Sequence, residues 1–84
     1  MPVVNRKSNI LWNSYLACAY AEGFCEGQGA SIEHEIEAWS YIIEHNMHLK
    51  LQGFYGRNVQ HLIENGLVDN KGVINWEAVK EYKR

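Results

Sequence analysis

The chain has 84 residues, of which 46% are hydrophobic and 21% charged, and its net charge is −2. That balance excludes a disordered polyelectrolyte and leaves room for one domain, residues 1–84. A chain this short buries only about 60–65% of its unfolded surface. Its three Trp, five Tyr and two Phe must therefore carry much of the stability.

Residues 1–7 form a short polar leader with the only proline, Pro2. Ser8 or Asn9 can cap a helix over residues 10–25. Twelve of those sixteen residues are apolar and only Glu22 is charged. The apolar groups run nearly all the way round a helical wheel, which predicts a central core helix. The alternative is a self-association face, giving a homodimer through residues 10–25. Cys18 and Cys25 would sit about 10 Å apart along such a helix. That exceeds the roughly 7 Å reach of a disulfide, so both are expected as reduced, buried thiols of a cytosolic protein. No charged segment followed by an apolar run opens the chain. The longest apolar run, residues 15–21, is far short of the about 20 residues that span a bilayer. A soluble, cytoplasmic protein with no membrane partner is expected.

Gly23, Gly27 and Gly29 break the chain, and Ser31 caps a second helix. Glu33, Glu35 and Glu37 lie in its early turns, where negative charge suits the helix dipole. Ile32, Ile36, Trp39 and Ile43 form one apolar stripe at helical period. His34, Glu37, Tyr41, Glu44 and His45 lie on the other side and are expected to face water, with Asn46 as the stop. Residues 47–53 read as a connector with a helical turn. A third helix over residues 54–65 stops at Gly66. It buries Tyr55, Val59, Leu62 and Ile63 and exposes Arg57, Gln60, His61 and Glu64. Gly56 inside it costs about 1 kcal/mol relative to alanine, which suggests close approach of another backbone. Residues 67–74 read as a hairpin with its turn at residues 69–72. Asn75 caps a last helix over residues 76–82, with Trp76, Val79 and Tyr82 inward. The fold class expected is mainly α: a compact four-helix domain with a small two-stranded β-hairpin before the last helix.

Charge is unevenly spread. Residues 8–49 hold no Lys or Arg but six Glu, while residues 1–7 carry +2 and residues 50–84 a net +2. The acidic middle would repel nucleic acid and suits a basic surface on another protein. Catalytic machinery is not evident. Cys18 sits between alanines, whereas a reactive thiolate needs an electropositive setting. The glutamates of the second helix face water in this reading, and no phosphate-binding glycine loop of P-loop or dinucleotide spacing occurs. His34, His45, His48 and His61 read as surface histidines, since a metal site needs three or four converging ligands. No enzyme activity, metal or cofactor is expected. Residues 51–57 (Leu-Gln-Gly-Phe-Tyr-Gly-Arg) read as a tight corner in which Arg57 pairs with an acid of the second helix. The alternative there is a phosphate or carboxylate site at a helix start.

From Gly53 onward the chain resembles the second half of a winged helix-turn-helix domain. That resemblance places Arg57, Asn58, Gln60 and His61 on a recognition helix and residues 67–74, with Lys71, in the wing. It implies a DNA-binding repressor or autoregulator. A wider resemblance rests on Tyr20-Ala21-Glu22-Gly23-Phe24, Glu37-Ala38-Trp39, the run at residues 51–57 and Leu62-Ile63-Glu64-Asn65-Gly66. In these the chain is similar to a family of small uncharacterised proteins of bacteriophages and related mobile elements. That setting implies a protein that binds and disables a host protein or ribonucleoprotein, such as an inhibitor of CRISPR or another defence system, in the host cytoplasm. The contact surface expected is Glu33, Glu37, Tyr41 and Glu44, supported by Arg57, blocking a partner's nucleic-acid surface. A virion structural or assembly component is the third expectation.

Overall fold

The longest apolar stripe of the sequence becomes the centre of the molecule. In the computed structural model, which describes residues 5–51 and 53–82, Ile32–Glu44 forms α2, the second helix in chain order. The Ser31 side chain accepts the His34 N–H and caps it. Ile36, Ala38, Trp39, Ile42 and Ile43 are all buried. The helix ends at His45, followed by Asn46 in the left-handed region at φ 57°. Around it lie α1 (Ser14–Glu22), α3 (Gly53–Glu64) and α4 (Trp76–Tyr82). Two 3-10 turns, Cys25–Gly27 and Met47–Leu49, join α1 to α2 and α2 to α3. The shared core unites Ala17 of α1, the α2 stripe, Tyr55 and Val59 of α3, Leu67, Val68, Ile74 and Val79. The whole measures 27 × 25 × 25 Å.

Several expectations shift. The first helix is not residues 10–25. It starts at Ser14, with Asn13 Oδ1 capping the Leu16 N–H, and ends at Gly23 in the left-handed region. Only Ala17 and Ala19 of it are buried, so α2 and not α1 is the central helix. Cys25 lies outside α1 and is exposed, and both cysteines are free. Gly56 does not mark a close approach: a Cβ there would meet His48 O at an ordinary 3.9 Å. Tyr82 is half exposed and not inward.

The predicted hairpin is absent. Among the described residues no strand forms, and Val68 and Ile74 share a single antiparallel bridge. The local bonding explains why the ladder stops there. The Asp69 N–H bonds Val73 O at 3.0 Å, and Asp69 Oδ1 takes the N–H groups of Lys71 and Val73. The turn is thus tied to one aspartate. Ile74 spends its own backbone groups on Asn5, whose side-chain amide donates to Ile74 O at 2.7 Å and accepts from Ile74 N at 2.8 Å. A side chain stands where a third strand would pair. Gly72, at φ 93°, sits so close to α2 that a Cβ would lie 2.7 Å from Ser40 O, and Ser40 Oγ donates to Gly72 O.

Residues 5–8 form an arm laid against α2 and α4. Besides the Asn5 pair, Trp76 Nε1 donates to Asn5 O at 2.9 Å and the Lys7 ammonium lies 4.5 Å from the Trp76 ring centroid. Asn5→Ala strands both Ile74 groups and should cost about 1–3 kcal/mol. Urea denaturation at neutral pH checks this, with an unchanged midpoint refuting the docked arm.

Candidate functional site

Glu37, on the acidic side of α2, does not lie on a free surface. Glu37 is 1% exposed. The arm closes over its carboxylate: Oε2 accepts the N–H groups of Lys7 at 2.8 Å and Ser8 at 2.9 Å. Oε1 accepts the Ser8 hydroxyl and the Trp12 indole N–H, the latter at 3.3 Å. Burial alone would raise the Glu37 pKa. The Ser8 side chain, the two backbone N–H groups and the Trp12 indole together outweigh that and hold it below the ordinary glutamate value. Four donors to one carboxylate make a clasp, and the expectation that Glu37 faces water is corrected. Its place on the wheel is polar only because the arm brings hydrogen bonds to it.

Glu44 is also engaged. Arg6 Nη2 lies 3.0 Å from Glu44 Oε1, and Arg6 Nη1 donates to Ser40 Oγ at 3.1 Å. The Arg6 guanidinium also stands 5.7 Å from the Tyr41 ring centroid, and Tyr41 stacks on His45 at 4.1 Å. Glu33 is partly buried and has interactions of its own. Of the five residues expected to make the contact surface, Glu37, Tyr41 and Glu44 are therefore brought together under the arm. Arg57 stands apart on α3.

The α3 face is exposed as expected at Arg57, Gln60, His61 and Glu64. Its amide donors are spent within the helix, however. Asn58 Nδ2 donates to Phe54 O at 2.8 Å and Gln60 Nε2 to Glu64 at 3.1 Å, while His61 Nε2 lies 3.3 Å from Asn65 Nδ2. Lys71 is exposed at the tip of the turn beside Asp69, whose carboxylate holds that turn.

Two tyrosine–glutamate pairs brace α1. Tyr55 Oη donates to Glu22, and Tyr15 Oη donates to Glu26 at 2.9 Å. Burial, then bonds to Cys18 and Glu22, push the Tyr55 hydroxyl far above its ordinary pKa. Bonds to Cys25 and Glu26 do the same for Tyr15. Both hydroxyls stay protonated and act as donors, which suits bracing and not base catalysis. Among the described residues no three His, Cys, Asp or Glu side chains converge as metal ligands, and no helix is long and apolar enough to cross a membrane.

The corner between α2 and α3 differs in kind. Leu49 is 73% exposed, and Leu51 and Phe54 are each 38% exposed. Lys50 and Arg57 are exposed beside them. Neither has an ion-pair partner among the described residues, so Arg57 does not pair with an acid of α2. Phe54 keeps one side on the core, 6.2 Å from the Trp39 ring centroid, which fixes the exposed side. Beneath the corner, His48 Nδ1 is buried with no hydrogen-bond partner among the described residues. Gln52 of the 51–57 run lies outside the described residues. Sequence reasoning singled out this run but gave the surface to the acidic helix. The signal that would have found it is the second charge gap: residues 45–63 contain no Asp or Glu and include Lys50 and Arg57. Compared with protein-family models, curated proteins and solved structures, the chain matches none.

Proposed function

We propose that this is a non-enzymatic, phage-type binding protein that disables a host defence protein by occupying part of its surface. The observation that carries the reading is the α2–α3 corner. Leu49, Leu51 and Phe54 are each exposed within a few residues of Lys50 and Arg57, and neither cation has an ion-pair partner among the described residues. Exposed apolar side chains with charges at their rim are the usual anatomy of a protein contact. The engaged state of Glu37 and Glu44 moves the contact from the acidic helix to this corner. The phage setting comes from the sequence resemblance carried by residues 20–24, 37–39, 51–57 and 62–66.

The test is affinity purification with the tagged full-length chain from bacterial lysate, with and without nuclease, beside the Lys50→Glu/Arg57→Glu variant. A nuclease-resistant protein partner that the variant loses is the expected result. A nuclease-sensitive partner, or capture equal in the variant, overturns the reading.

A further inference from the structure

The corner has a sign as well as an apolar centre. Residues 45–63 hold Lys50, Arg57 and three histidines but no Asp or Glu. The acids nearest in sequence are Glu44, held against Arg6 at 3.0 Å, and Glu64, bonded by Gln60 at 3.1 Å. Neither cation has an ion-pair partner among the described residues. A partner that placed uncharged or cationic groups there would desolvate them without return. A partner with carboxylates returns Coulomb energy and steers its own approach.

Two chemistries combine negative charge with something for an apolar surface to hold: single-stranded nucleic acid and an acidic apolar peptide. Nucleic acid is held by stacking of bases on aromatic rings beside cations. Here Phe54 is the single aromatic ring among the three exposed apolar groups, and Leu49, the most exposed, offers no ring face. The Asn58 and Gln60 side-chain amides each donate within α3, to Phe54 O and Glu64. Aliphatic side chains two residues apart with a half-open phenyl ring instead suit one or two apolar side chains of a peptide.

Resting on the reading of the corner as a binding site, we propose that its occupant is a short acidic protein segment. Its Leu-like or Phe-like side chain packs on Leu49, Leu51 and Phe54, and its flanking carboxylates pair with Lys50 and Arg57. The corner is far smaller than a standard interface of about 800 Å² per partner, so the affinity expected is near micromolar.

Backbone amide NMR shifts of the isotope-labelled full-length chain test this. The chain is titrated with a short peptide holding Asp and Glu around a Leu and a Phe. Parallel titrations use the same peptide with Asn and Gln in place of the acids, and oligo-deoxythymidine. Shifts confined to residues 47–57 with the acidic peptide are expected. They should weaken about tenfold in the neutral peptide, in raised salt and in Lys50→Glu/Arg57→Glu. Leu49→Ser, at an exposed site that leaves the core intact, should weaken them independently of salt. Equal binding of both peptides, tighter binding of the oligonucleotide, or shifts elsewhere overturns the proposed chemistry. A lysate partner captured through the corner would stand even then, so the two failures are distinguishable.

Discussion

Glu37→Ala should cost about 3–5 kcal/mol of folding stability, enough to leave a domain of this size largely unfolded at 37 °C. The substitution removes one buried carboxylate but strands four donors, since the Lys7 and Ser8 N–H groups, the Ser8 hydroxyl and the Trp12 indole lose their acceptor together. It also frees the arm that covers α2. Glu37→Gln keeps the shape and one good acceptor but faces the Trp12 N–H with an amide, and should cost about 1–3 kcal/mol. The two variants also differ from the wild type in pH dependence. The folded Glu37 has a pKa below the ordinary 4.5. Its contribution is therefore complete above that value and is lost as pH falls through the folded pKa. The gap between wild type and Glu37→Gln should be constant at neutral pH and narrow below about pH 4.5. Urea unfolding across pH 3–7, followed by tryptophan fluorescence, reads both effects.

Gly27→Ala should be at least as damaging, at about 4 kcal/mol or more. A Cβ at Gly27 would lie 2.2 Å from Ala19 O and 2.4 Å from Tyr20 Cα. Both are backbone atoms of α1, so no rotamer change relieves the clash. The 3-10 turn Cys25–Gly27 would have to leave α1, taking the Tyr15–Glu26 bond with it. Gly56→Ala should move the other way. Its Cβ would find ordinary van der Waals space inside α3, and alanine favours the helix by about 1 kcal/mol. Thermal unfolding by circular dichroism should therefore show opposite shifts of the midpoint for two chemically identical substitutions.

The contrast between those glycines shows where the sequence was legible. Helical periodicity marked α2, α3 and α4 to within a residue or two, because Ser31, Asn75, Asn46 and Gly66 punctuate stripes that are already regular. Arg57, Gln60, His61 and Glu64 were correctly assigned to solvent for the same reason. Long-range pairing carries no such period. Nothing around residue 37 announces that residues 7, 8 and 12 fold back over it, so a polar position on a wheel was mistaken for an exposed one. The same arm took residues 10–13 out of the first helix. At the turn, Asp69 Oδ1 takes the Val73 N–H, and a single bridge remains where alternation suggested two strands. Gly27 and Gly56 look alike in sequence because the close approach that separates them is set by how the Cys25–Gly27 turn docks on α1.

Two glutamates of α2, Glu37 and Glu44, are engaged by the arm, and the contact proposed above lies instead at the corner of Lys50 and Arg57. The most direct test is the titration of the Glu37 side-chain carboxyl carbon by NMR, followed together with the amide shifts of Lys7 and Ser8. A midpoint below the ordinary glutamate value, tracked by both amides, is the result predicted. A midpoint near 4.5 with Lys7 and Ser8 unmoved would mean that the carboxylate lies in water, and that the acidic helix is the exposed surface after all.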